Sequence, residues 1–183
     1  MNPLQFISIL VAAYLMAFFE SSFQGVRHWL GAQIDLLPAL MVYASLSANL
    51  FTIGLLALLG GLWFDSLSAD TLGVSVLPLF VVGLLIYRRH NLILRDQLFA
   101  QIVLGLAASA VVPASKLLLM LTAGKQPLLG FGSIWQFIVM MVGGAVATPL
   151  LFKLFGFFEN ALSYRRAVES SFRTDREIRR GRS

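Results

Sequence analysis

The chain has 183 residues, 58% of them hydrophobic and only 13% charged, and its mean hydropathy is +0.81. A soluble domain averages about 45–50% apolar and about 25% charged residues, and a chain this short has too much surface to hide the surplus in one core. Lipid is the solvent that fits. There is no cysteine, which excludes disulfides, thiol nucleophiles and thiolate-held metals.

Crossing the roughly 30 Å hydrocarbon core takes about 20 apolar residues, and backbone groups in lipid must be paired internally, so the spans are expected to be helical. No Lys or Arg precedes Arg27, so the first apolar stretch lacks the basic leader of a cleavable signal and reads as a retained span, about Leu4 to Phe23. Glu20 stands near its far end. There it either snorkels to water or, if buried, needs a partner, with Lys116 the candidate.

The second segment, Leu36 to Leu46, is short, and Ser47-Ala48-Asn49 separates it from a third, Leu50 to Phe64. No charge occurs from Leu36 to Phe64. Read as one helix, the pair would leave five spans and opposite termini, but about 30 residues is too long for one normally tilted helix. Two spans are expected.

In the third span Gly54, Ala57 and Gly61 fall at i, i+3 and i+7, and Asp65 follows at i+11. Small residues on one face let backbones approach, so Asp65 is expected to point into the bundle. A carboxylate near hydrocarbon is costly and is usually functional or paired. Three readings stand: a solvated helix end, a salt bridge to Lys116 or Arg27, or a polar pin that shapes the next turn and a partner surface. Asp70-Thr71-Leu72-Gly73 then predicts the start of a fourth span, Leu72 to Tyr87, with Asp70 as its side-chain cap and a favourable charge at its N-terminus.

The fifth span, Gln97 to Leu121, carries Gly105 and Ser109 four apart, then Pro113, which is expected to kink it, and Lys116. Gly130-Phe131-Gly132 reads as a turn. The sixth, Ile134 to Phe158, carries Gly143-x-x-x-Ala147 and Gly144-x-x-x-Thr148, with Pro149 following. Each small-residue face serves either packing within the chain or a helix of another protein.

Beyond residue 160 the composition changes. Ala161, Tyr164, Val168 and Phe172 recur at helical spacing, among Arg165, Arg166, Arg173, Arg176, Arg179, Arg180 and Arg182. The chain therefore divides into a six-span domain, 1–160, and a basic helical tail, 161–183. The tail reads as a topology signal lying on anionic headgroups or as a site for a cytoplasmic protein. Nucleic acid is not expected, because no aromatic residue beyond Phe172 interleaves the arginines.

With six spans, Arg88, Arg89, Arg95, Lys153 and the tail arginines share a side with both termini, eleven basic residues against Arg27, Lys116 and Lys125 on the other. Basic residues favour the cytoplasm, so both termini are expected inside. His28 and His90 lie on opposite sides and cannot share a metal. No Ser/His/Asp set, phosphate loop or spaced carboxylate pair is present, so neither an enzyme nor a cofactor is expected.

The run Pro38-x-x-Met41-Val42-Tyr43, the small residues from Gly54 to Gly61, Asp65-Ser66-Leu67-Ser68, and Thr71-Leu72-Gly73-Val74-x-Val76-Leu77 resemble the rod shape-determining protein MreD family. Close matching covers Pro38 to Leu77. Glu20-Ser21-Ser22 also agrees, although that family more often has Gln where Glu20 stands. The resemblance implies a six-helix transmembrane bundle similar to the substrate-binding subunits of energy-coupling-factor transporters. It implies a non-enzymatic, multi-pass subunit of the bacterial inner membrane in the cell-elongation complex of rod shape and peptidoglycan synthesis. Its implied partners are an MreC-like single-span protein and, through the complex, MreB-like filaments and peptidoglycan synthases. The alternative is a vitamin-like ligand-binding subunit of a transporter. The few polar groups of the outer half speak against it.

Overall fold

The computed structural model describes residues 3–22, 31–68, 71–89, 97–124 and 130–171, with side chains described from 5 to 158 within those ranges. These residues form six helices and no strand: α1 Pro3–Ser22, α2 Leu37–Ser47, α3 Leu50–Leu67, α4 Val76–Arg89, α5 Leu98–Thr122 and α6 Phe131–Ser171. Four of them, α1, α3, α5 and α6, are long and apolar enough to cross a membrane. The other two have 11 and 14 residues, about 16 and 21 Å at 1.5 Å per residue.

The short α2 is the centre of the molecule. Every residue from Leu37 to Ser45 is buried, and the helix packs against α1, α3, α4, α5 and α6. A helix that is apolar all round has to be enclosed by lipid or by protein, and α2 is enclosed by protein. Tyr43 stacks on Phe155 at 4.3 Å between ring centroids and meets Phe152 edge-on. By contrast α1, α5 and α6 turn large apolar side chains outward, among them Phe19, Phe99, Val146 and Phe157, as lipid-facing helices do.

The contacts set the directions of the helices. Phe6 meets Phe51 and Tyr14 meets Trp63, so α1 and α3 run parallel. Gly61 faces Val76 while Gly54 faces Phe80, so α4 runs back along α3. Gly83 lies against Met41 and Gly105 against Gly144 and Thr148. Tyr43, near the end of α2, meets the later half of α6. Odd-numbered helices therefore run one way and even-numbered ones the other, so α1 begins and α6 finishes at the same end of the bundle.

Three boundaries differ from those expected. The α3 helix continues to Leu67, past Phe64. The α4 helix begins at Val76 rather than Leu72, because residues 72–75 are a turn in which Gly73 takes φ +89, a conformation that costs glycine little. The α6 helix starts at Phe131, so Phe131 and Gly132 belong to its first turn, and it runs unbroken to Ser171. Both α5 and α6 continue through their prolines, Pro113 and Pro149.

The small residues are the contact points between these helices. A Cβ at Gly61 would stand 3.0 Å from the Val76 backbone nitrogen and Cα, whereas one at Gly54 would meet only Phe80, at 3.8 Å. Backbone cannot rotate aside as a side chain can. Gly61→Ala is therefore expected to lower the unfolding temperature in detergent markedly and Gly54→Ala hardly at all. Equal shifts for the two would show that the α3–α4 approach tolerates bulk.

Candidate functional site

Polar side chains collect where α1, α3 and α5 end. Asp65, on the last turns of α3, is 1% exposed. Its Oδ2 accepts the backbone N–H of Gly73 at 2.8 Å and of Ser75 at 3.0 Å, and its Oδ1 accepts the Ser75 hydroxyl. One carboxylate thus takes three donors from the turn that leads into α4. Those donors lie just before the first residue of α4, where a negative charge is also favoured by the helix dipole. Of the readings open for Asp65, the geometry is that of a pin on the α3–α4 turn. Asp70, expected to cap α4, lies outside the described residues.

A second group joins the segment before α2 to α1 and α5. Asp35 Oδ1 accepts the Leu37 N–H at 3.0 Å, a side chain bonding its own backbone two residues on. Lys116 Nζ stands 3.7 Å from Asp35 Oδ2 and 4.2 Å from the centre of the Phe64 ring, where the ring face attracts a cation. Glu20 Oε1 accepts the Leu36 N–H. Its Oε2 is buried without a hydrogen-bond partner among the described residues. Gln136, on α6, accepts the Gln33 N–H at 3.0 Å and donates to the Gln33 carbonyl at 2.7 Å, tying residues 103 positions apart.

Lys116 therefore pairs with Asp35. The partners considered for it from the sequence were Asp65 and Glu20. Asp35 carries no expectation from the sequence, although an Asp two residues before an apolar run that opens Leu37-Pro38 is a recognisable helix-start signal. No local pattern could have revealed Ser75, Gln33 or Gln136, since each acts through a partner distant in the chain. Lys116→Met removes the cation facing a buried carboxylate, which costs on the order of 3 kcal/mol. Lys116→Met with Asp35→Asn should recover much of that loss, read as midpoints of thermal unfolding. Additive losses would mean the two side chains do not interact.

The small-residue positions fall into intramolecular contacts. Gly61 lies on Val76 and Gly143 on Ile34, where a Cβ would come within 2.5 Å of Cγ2. Ala57 and Ala147 are buried in the bundle, and Gly54 is half-buried against Phe80. Arg165 and Arg166 lie on the extension of α6, with side chains outside the described residues. Arg173, Arg176, Arg179, Arg180 and Arg182 fall outside altogether.

Chemically this end holds shape. Its carboxylates receive backbone N–H groups and one ammonium, and among the described residues no cluster of His, Asp and Glu could hold a metal ion. Next to it, between the start of α4 and the later part of α5, lies a groove of about 390 Å³ lined by apolar residues such as Leu77, Val81, Val111 and Leu118. No protein-family model, curated protein or solved structure matches the chain.

Proposed function

We propose that this chain is a non-enzymatic scaffold subunit of the bacterial cell-elongation complex, similar to the rod shape-determining protein MreD family. In this reading it is a six-span bundle of the inner membrane, with the fold of energy-coupling-factor substrate-binding subunits and both termini in the cytoplasm. An MreC-like single-span protein is its direct partner, linking it to MreB-like filaments and peptidoglycan synthases. One observation carries the reading: the residues of the resemblance form one physical unit. Pro38 to Tyr43 make the buried centre, Gly61 is the close approach of α3 to α4, and Asp65 holds Gly73 and Ser75. A frame braced in this way suits holding other membrane proteins in fixed positions. The ligand-binding alternative is weakened because the side chains of Asp35, Asp65 and Gln136 bond to this chain's own groups.

The test is replacement in a rod-shaped bacterium depleted of its own such subunit. The chain should restore rod shape and co-purify from detergent with a single-span coiled-coil protein. Round cells and a co-eluting small molecule would instead support the transporter subunit. For topology, a reporter active only outside the cytoplasm and fused after Ser183 should be silent. Activity there would place the basic end outside and overturn the orientation.

A further inference from the structure

The α4 helix is shorter than a membrane is thick. Its 14 residues end in Arg88 and Arg89, exposed charges that belong at the headgroups. At about 21 Å it stops about 9 Å short of the far edge of a roughly 30 Å hydrocarbon core. Its contact with α3 gives the same depth. Val76, the first residue of α4, faces Gly61, and α3 runs on from there to Leu67, about 9 Å further along its axis. Pro78 has no N–H with which to carry α4 back to Val74. The turn at 72–75 therefore lies at the depth of lipid tails. Among the described residues, the carbonyl oxygens of Leu72 and Val74 accept no hydrogen bond, and Leu72 and Leu77 are 68% and 56% exposed.

Non-helical backbone at that depth is tolerated only where protein covers it or where it lines a water-filled cavity. Beside the turn opens the groove between α4 and α5, with Leu77, Pro78 and Val81 on one wall and Ala114, Ser115 and Leu118 on the other. Small residues such as Ala114 and Ser115 let the backbone of a further helix approach. We propose that this groove receives one transmembrane helix of another protein, with a hydrogen-bond donor (Ser, Thr, Asn or Gln) set against the turn. Complementary charge selects that occupant. The two carbonyl oxygens are partly negative and call for a donor, and a lipid tail has none. A second copy does not fit, because a two-fold axis brings the same patch of both subunits together, and two grooves face to face do not fill each other. In the scaffold reading this is the place of the single-span partner, and the inference rests on that reading only for which protein the helix belongs to.

The test uses the full chain in the rod-shaped host of the replacement experiment. Photoreactive p-benzoylphenylalanine takes the place of Leu77, of Leu118 or, as a control on the outward side of α6, of the exposed Val142. Light should join Leu77 and Leu118 to one and the same protein, at residues of its transmembrane segment identified by mass spectrometry, and should join Val142 to none. Ala114→Phe should reduce that capture roughly fivefold or more, as overfilling a packed contact does. It should leave the unfolding temperature of the purified chain unchanged, because Ala114 is exposed there. Capture of lipid alone, of a second copy of this chain, of nothing, or equally at Val142 would overturn the proposal, as would capture indifferent to Ala114→Phe. Groove capture of a membrane helix from a protein with no part in wall synthesis would keep the groove and count against the scaffold reading. Rod shape restored without groove capture would do the reverse.

Discussion

Asp65→Leu is expected to be the most damaging single change at the polar end of the bundle. It leaves three donors, the N–H groups of Gly73 and Ser75 and the Ser75 hydroxyl, without an acceptor in a buried place. An unsatisfied buried donor costs about 1–3 kcal/mol, so the total reaches several kcal/mol, a large share of what holds a domain folded. Asp65→Asn should fall between. Its amide oxygen can still accept the two backbone N–H groups and its nitrogen can donate to the Ser75 oxygen, but the charge at the start of α4 is gone. Thermal unfolding in detergent should rank parent above Asn above Leu. Ser75→Ala added to Asp65→Leu should cost less than Ser75→Ala alone, because its hydroxyl has already lost its acceptor. Parent-like stability of Asp65→Leu would mean that the turn is held by other contacts.

A comparably large effect is expected where α5 and α6 meet. A Cβ at Gly144 would stand 1.8 Å from Ser109 Oγ and 2.5 Å from its Cβ, and one at Gly105 would stand 2.6 Å from the Gly144 carbonyl. In lipid no hydrophobic force draws helices together, so close packing supplies most of the association. Gly144→Ala should force the pair apart and lower both accumulation in the membrane and the unfolding temperature. Ser109→Gly together with Gly144→Ala should recover part of the loss, because the nearest remaining neighbour is then the Gly105 carbonyl at 3.1 Å. Gly105→Ala should not be rescued by Ser109→Gly, since it meets Gly144 and Thr148. If Gly144→Ala is as stable as the parent, the two helices are not locked at this crossing.

Much of this arrangement can be read from local pattern. Apolar run length and the Ser47-Ala48-Asn49 break mark six helical segments within a few residues of the observed ones, because burying a backbone in lipid demands helix wherever the side chains are apolar. The Gly54/Ala57/Gly61 spacing shows which face of α3 is narrow, since helical period alone places those residues together. It also turns Asp65 inward, where the bundle has it. What Asp65 bonds is another matter. Ser75 and Gly73 reach it only because Gly73 bends the chain before Val76, and the expected start of α4 at Leu72 missed that bend.

The pairing of Lys116 with Asp35 and of Gln33 with Gln136 was likewise out of reach, since it depends on which helices become neighbours. Hydropathy does not distinguish a helix surrounded by lipid from one surrounded by protein. The central place of α2 therefore follows from the other five helices closing round it, with the burial of Tyr43 against α6 as its physical mark. Composition decides the solvent and the secondary structure of this chain. The partner of each buried charge is decided by packing, because a carboxylate in low dielectric takes whichever donors the assembled helices bring within reach.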